Sequence, residues 1–238
     1  LPCPASRGIT YVMDFETTPM SPLSRLHMLV ACVRSALHDR PLPTGTDALS
    51  WPLLYRTACE QGVDTFLFPW LTAHFSEHFA ASAAPPDSVP GAWRMRTLRE
   101  LQRSTLRQRQ LAEMAAGFER AGLDLVMLKG AWLAESVYAN PVLRSMTDID
   151  VLIRTDQRDR SHAMMLQLGY TATADTLHSR FAYDQGYCHP QHPYAVEMHW
   201  AMSCELETDS PEADMGAVWR HVEPTRLYGF PCFALSVP

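Results

Sequence analysis

The chain has 238 residues, of which 47% are hydrophobic and 19% are charged, and its formal net charge is −6. This composition is typical of a globular protein that is long enough for one large domain or two small ones. The lack of a basic excess argues against a broad nucleic-acid-binding surface, although it leaves room for a local basic pocket.

The cysteines and the apolar segments indicate a cytoplasmic protein without a membrane anchor. The six cysteines are scattered, contain no CxxC pair and are interpreted as reduced thiols: Cys3, Cys32, Cys59, Cys188, Cys204 and Cys232. No apolar run approaches the length of a membrane span, and no signal-peptide pattern opens the chain. The chain starts at Leu1 and closes on an apolar segment, so we expect both ends to be trimmed.

The first half of the chain is predicted to be helical. Residues 1–20 carry no clear pattern. The spacing of apolar residues and the positions of Pro and Gly predict helices over 21–37, 47–60, 62–80 and 92–121, with a loop at 41–46 and a linker at 84–91. Gly62 is predicted to separate the second helix from the third, and Gly122 to end the fourth.

The long helix over 92–121 has two predicted faces. One is most simply a solvated face, and the alternative is that it lines a cleft and meets an anionic substrate or partner. It carries the arginines Arg94, Arg96, Arg99, Arg103, Arg107 and Arg109. The other is an apolar stripe formed by Leu98, Leu101, Leu106, Leu111 and Met114.

After Gly122 strands alternate with helices. Strands are predicted over 123–128, around 148–153 and over 170–173, 181–188 and 194–200, with a helix over 131–139 and another from an Asp156 N-cap to Gly169. The fold class is therefore predicted to be α+β, with a helical region over 1–121 and a mixed-sheet core over 122–238 whose C-terminal part is truncated.

Two acids stand out on the second predicted strand. Asp148 and Asp150 are two residues apart, so they project from the same face of a strand, while Ile149, Val151 and Ile153 point into a core. Two carboxylates held side by side repel each other unless a positive charge lies between them, and a divalent cation is the usual solution. The competing interpretation is a solvated strand end.

Two further features can converge on this pair. Lys129-Gly130 lies at a strand-to-helix turn, where a glycine permits close backbone approach and helix N–H groups favour phosphate. Glu197 lies in another short apolar strand and would complete a set of three carboxylates, the arrangement that holds two cations roughly 3.5–4 Å apart in phosphoryl transfer. Taken alone, the first is a simple turn and the second a surface acid.

The histidines have competing interpretations. His199 shares the strand face of Glu197. It either acts as a base, supports a metal-binding acid by a hydrogen bond, or packs beside Trp200. Cys188, His189 and His192 lack a second ligand pair at zinc spacing, so a proline-rich turn between strands is favoured. His178 and Arg180 precede a strand and lie within possible reach of a substrate.

Several of these motifs occur together in one known family. The segments 126–134, Tyr138, 143–153, Gly169-Tyr170 and 196–200 closely resemble the uncharacterised nucleotidyltransferase family of the DNA-polymerase-β-like superfamily. The resemblance extends over roughly residues 20–238 and is strongest from 123 to 200. It implies a mixed sheet flanked by helices, with a metal-dependent active site.

The resemblance also implies residue roles. Asp148 and Asp150 correspond to the metal-binding and catalytic pair, and Glu197 to the third carboxylate. Lys129-Gly130 stands where the superfamily usually has a Gly-Gly or Gly-Ser turn for nucleotide phosphates. Arg144, just before the diacid strand, would contact a phosphate or orient Asp148, with a structural salt bridge as the competing role.

Three functional hypotheses follow. The first is a Mg²⁺- or Mn²⁺-dependent enzyme that transfers a nucleoside monophosphate from an NTP such as ATP to a small molecule or protein. The second is a catalytically silent binding or adaptor protein in a biosynthetic cluster, suggested by the single-glycine turn. The third is a metal-dependent phosphohydrolase that uses the same carboxylates.

Overall fold

The structure is a computed structural model, and it describes residues 21–42, 50–79, 84–174, 176–179, 182–201 and 215–236. The predictions made for residues 1–20, for most of the 41–46 loop and for Arg180 lie outside these ranges.

The described residues fall into two compact units. The helical unit holds those up to residue 102 together with 140–145, and the sheet unit holds 103–139 and those from 146 onward. A domain boundary after residue 121 stays a prediction.

The helical unit is built from short helices and the first part of a long one. The bounds are α1 Pro22–Leu37, α2 Trp51–Glu60, α3 Asp64–His74, α4 Ser76–Phe79 and α5 Val89–Ala121, the last of which continues into the sheet unit. These confirm that each predicted segment is helical within the described residues, with α2 beginning at Trp51 and the 62–80 segment divided at Phe75. The break after α2 lies at Gly62, where φ is +65°. Trp93, Leu54 and Leu67 are fully buried at the centre of this unit.

The start of α5 corrects the predicted linker at 84–91. The helix begins at Val89 rather than near Ala92, because Ser88 caps it. The Ser88 hydroxyl accepts a hydrogen bond from the Gly91 N–H at 3.2 Å and donates to the Pro85 carbonyl at 2.6 Å. The far end agrees with the prediction, since Gly122 takes a φ of +61° directly after Ala121.

Replacing the cap should weaken the helical unit. Ser88→Ala removes the acceptor for the Gly91 N–H, and we expect it to lower the free energy of unfolding by about 1 kcal/mol in a urea titration. Ser88→Thr keeps the hydroxyl and should stay within a few tenths of a kcal/mol of the wild type. Equal stability of all three proteins would show that the cap contributes nothing.

The buried side of α5 differs from the predicted stripe. Leu98, Leu101 and Leu106 are 51%, 50% and 40% exposed, whereas Leu111 and Met114 are fully buried. The prediction of a solvated arginine face is wrong for Arg107, which is completely buried, donates to the Ser104 hydroxyl and lies 5.9 Å from the Tyr194 ring centroid. In the sheet unit the buried side of α5 is formed by Ser104, Arg107, Leu111 and Met114. These residues are three or four positions apart, so they lie on one face of the helix.

The sheet unit contains a mixed sheet with helices around it, as predicted. In the described residues the strand order is β3-β4-β5-β2-β1-β7-β6. The strands are β1 Val126–Met127, β2 Asp148–Leu152, β3 Thr171–Ala172, β4 Asp184–Cys188, β5 Ala195–His199, β6 Val222–Leu227 and β7 Phe230–Leu235. The helices are α6 Lys129–Ser136, α7 Arg158–Gln167 and α8 Met215–Arg220. The β2–β5 and β1–β7 pairs are parallel and the others antiparallel.

The central strand β2 carries the alternation expected from its sequence. Ile149, Val151 and Ile153 have no exposed surface and lie in the main core with Val196 and Met198 of β5. Burial of aliphatic side chains on one face fixes the register, because a one-residue slip would place the acids in the core.

Asp156 is not the N-cap that the sequence suggests. Residues Thr155–Gln157 form a short 3-10 turn, and α7 begins afterwards at Arg158 with Gln157 at the cap position. The Gln157 side chain accepts from the Asp124 N–H at 2.9 Å, which ties this turn to the loop before β1. The predicted end of α7 is confirmed, since Gly169 follows it with a φ of +89°.

The cysteines differ in part from the prediction of six reduced thiols. Cys188 is disulfide-bonded, whereas Cys32, Cys59 and Cys232 are free and buried. None of the helices in the described ranges is long and apolar enough to cross a membrane. The cytoplasmic location stays a prediction.

Candidate active site

The acids meet on two neighbouring strands. β2 and β5 run parallel, and their register sets Asp150 directly beside Glu197. Residues on the two strands therefore share a face that is opposite the buried Ile149 and Val196. The strand that carries Glu197 therefore lies beside the strand that carries the diacid pair.

Asp150, Glu197 and His199 form the tightest group on this face. One ligand atom from each lies within 4.8 Å of the other two. The His199 Nε2 atom is 3.1 Å from the Asp150 Oδ1 atom and 3.7 Å from the Glu197 Oε2 atom. Asp148 lies one alternation earlier on β2, and its charge is close enough to raise the pKa of Glu197.

Lys129 supplies a positive charge to this group. It is the first residue of α6, and its Nζ atom donates to Asp150 Oδ1 at 2.6 Å. Asp150 is almost fully buried, whereas 62% of the Lys129 side chain is exposed. One oxygen of Asp150 therefore contacts both the ammonium and the imidazole.

The unusual backbone at this turn belongs to the lysine and not to the glycine. Lys129 has a φ of +41°, in the region that non-glycine residues rarely adopt. Gly130 is buried, and a Cβ there would lie 3.5 Å from the Met146 side chain, an ordinary contact distance. Leu128, the N-cap of α6, has no polar side chain with which to cap the N–H groups of the first turn.

The charges at the site are unevenly compensated. Burial alone would raise the pKa of Asp150, but hydrogen bonds from His199 and Lys129 outweigh it and hold that pKa below its usual value. The hydrogen bond to Asp150 likewise raises the pKa of Lys129. The pKa of Glu197 is raised by burial and then by the charges of Asp148 and Asp150. The face thus retains uncompensated negative charge around Glu197.

Tyr183 borders the group but is absent from the residues predicted from the sequence. Its ring stacks on His199 with centroids 5.9 Å apart and an interplanar angle of 18°. Its carbonyl accepts from the Trp200 N–H at 2.9 Å, which fixes the chain just before β4 against the end of β5. The only signal in the sequence is an aromatic residue near the start of a predicted strand.

The other candidates lie in different surroundings. Arg144 belongs to the helical unit and donates to the Ser145 carbonyl at 3.2 Å, so its role towards phosphate stays a prediction. His178 lies 3.6 Å from Asp159 of α7. His192 lies in the turn that joins β4 to β5, which agrees with the predicted turn. Its Nε2 atom is 2.9 Å from a carboxylate oxygen of Glu113 on α5.

The sequence matches a family model described as uncharacterised nucleotidyltransferase over residues 47–236. The chain belongs to this family. The match includes α2 to α5 and every strand of the sheet, and it is consistent with the DNA-polymerase-β-like superfamily. No curated protein and no solved structure matches the chain.

In this nucleotidyltransferase family member the donor set suits a divalent cation. Two carboxylates and an imidazole are ligand types that Mn²⁺ accepts, and carboxylates with water suit Mg²⁺. The ligand atoms of Asp150, Glu197 and His199 lie within 4.8 Å of one another, close to the span of two ligands on opposite sides of such an ion. The excess negative charge around Glu197 also favours a cation.

Proposed function

We propose that the protein is a metal-dependent nucleotidyltransferase. It transfers a nucleoside monophosphate from an NTP to a hydroxyl or phosphate of a small molecule or protein. The observation that carries this proposal is the group of carboxylates on adjacent parallel strands beside the N-terminus of α6. Family membership supports the same class of reaction.

The proposed reaction is a displacement at phosphorus. The acceptor oxygen forms a bond to the α-phosphorus while the bond from that phosphorus to the bridging oxygen of the β-phosphate breaks. Pyrophosphate leaves, and a hydroxyl acceptor releases its proton to solvent. Bound Mg²⁺ or Mn²⁺ would neutralise the triphosphate and lower the pKa of the attacking hydroxyl.

Each site residue has a proposed part. Asp148, Asp150 and Glu197 would hold the cation, with His199 as a further ligand or as a support for Asp150. Lys129 and the backbone at Gly130, in the first turn of α6, would bind phosphate oxygens. A helix N-terminus presents free N–H groups and a partial positive charge. Arg144 is proposed as an additional phosphate contact.

Nucleotide binding should depend on a divalent cation. We expect calorimetric titration of ATP, GTP, CTP and UTP to give binding of at least one nucleotide with Mn²⁺ or Mg²⁺ and none with EDTA, because the acidic face repels a bare triphosphate. Nucleotides labelled at the α-phosphate then test transfer to acceptors. If none of the four nucleotides binds in the presence of either metal, the proposal is wrong.

A silent adaptor role is the second candidate. The contact between Lys129 and Asp150 favours it, because the ammonium already compensates a carboxylate that would otherwise require a metal. This role predicts that a purified partner is retained by the Asp148→Ala and Asp150→Ala variants, with cellular function intact. Loss of function in both variants would exclude it.

A further inference from the structure

Lys129 is the only lysine in the 238-residue sequence. All other fixed positive side chains are arginine, so the chain uses an ammonium group at this one position. The two groups differ physically. A guanidinium is a broad planar fork, whereas an ammonium is a compact, strongly hydrated point charge that resembles a small cation more closely. This single lysine forms an ion pair with the carboxylate of Asp150.

The backbone holds this lysine in place from two sides. The N–H of Leu128 donates to the main-chain carbonyl of Asp150 at 3.1 Å, so the turn is tied to the same residue that its side chain contacts. Lys129 itself takes a φ of +41°, a conformation that is unfavourable for a residue with a Cβ. Such a conformation persists where the surrounding contacts determine it, and here it directs the ammonium to the acids.

The position of the ammonium matters for the number of metal ions. In a two-metal site a carboxylate commonly lies between two cations roughly 3.5–4 Å apart. Here Asp150 Oδ1 is engaged by the Lys129 ammonium at 2.6 Å and by the His199 imidazole at 3.1 Å. The ligand atoms of Asp150, Glu197 and His199 lie close enough together to hold one ion.

We propose that the ammonium of Lys129 takes the place of one of the two cations, so that the nucleotide complex holds one divalent ion instead of two. This inference rests on the proposed nucleotidyltransferase function. An ammonium has three N–H donors, of which Asp150 takes one, and the exposed side of Lys129 leaves the others for phosphate oxygens. The charges of Glu197 and Asp148 act on the same ammonium and raise its pKa further.

Counting bound Mn²⁺ tests the proposal without reference to turnover. Free Mn²⁺ is measured by electron paramagnetic resonance during titration of the intact protein that is saturated with the α,β-methylene analogue of the nucleotide it binds. We expect one bound Mn²⁺ per complex for the wild type. We expect two for Lys129→Met, because the methionine leaves a carboxylate without its positive partner.

Two control variants separate charge from other effects. Lys129→Arg keeps the charge and should keep the count at one. Arg226→Met removes an exposed positive charge on β6 and should also leave the count at one. Circular dichroism checks that each variant is folded. The number of Mn²⁺ ions bound to the wild type tests the proposal even if a variant fails to fold.

Three outcomes oppose the proposal in different ways. Two Mn²⁺ ions in the wild-type complex would overturn the role of Lys129 while leaving the nucleotidyltransferase function intact. A single ion in both the wild type and a folded Lys129→Met protein would also overturn it. A wild type that binds no nucleotide with any metal would reject the proposed function, and with it the inference.

Discussion

Asp150→Asn is expected to abolish metal-dependent nucleotide binding and to reduce nucleotidyl transfer by more than about 100-fold. Loss of an outer-shell partner of a metal costs about 10- to 100-fold, and Asp150 is proposed as a direct ligand. The amide is nearly the same size as the carboxylate but carries no charge for the cation. It can still accept the hydrogen bond from Lys129, so the fold should be retained.

A matched substitution controls for the general effect of removing a carboxylate. Asp156→Asn makes the same chemical change at an exposed position in the 3-10 turn before α7. Its binding and transfer should equal those of the wild type. If Asp150→Asn retains transfer within a fewfold of Asp156→Asn, the carboxylates are not the metal site.

Gly91→Ala should cause a large loss of stability. A Cβ at this position would lie 1.9 Å from the Pro85 carbonyl oxygen and 2.7 Å from its carbon. Both are backbone atoms, so the first turn of α5 or the turn before it must move. We expect the free energy of unfolding to fall by about 2–3 kcal/mol in denaturant titrations.

The appropriate comparison is another glycine-to-alanine change within a helix. At Gly130 of α6 the nearest contact of an added Cβ is 3.5 Å from a flexible methionine side chain, and its φ is not positive. Gly130→Ala should therefore change stability by less than about 1 kcal/mol. Similar losses in both variants would mean that the close contact at Gly91 is relieved at little cost.

The arrangement of the site was largely predictable because two simple periodicities determine it. Alternation along β2 and β5 fixes which side chains share a face, and the buried aliphatic residues Ile149, Val151 and Val196 fix the register. The family resemblance then implied the roles of these acids. The functional roles of these residues stay predictions.

Other features depend on contacts that a single sequence does not encode locally. Lys129 has a left-handed backbone, and the residue before it is hydrogen-bonded to Asp150, which is distant in sequence. Arg107 is buried although arginine is usually exposed, because the tertiary fold places it beside Ser104 and Tyr194. Asp156 has the chemistry of an N-cap, but the tight turn after β2 moves the cap position by one residue, to Gln157.

The place of β2 in the sheet has a consequence for how the protein can be re-engineered. β2 is the middle strand of the seven described, and the edges are formed by β3 and β6. The spacing of the carboxylates is thus set by neighbours that are themselves paired on both sides. Insertions, circular permutation or grafted loops at the β3 or β6 edge should therefore leave the register of these carboxylates unchanged.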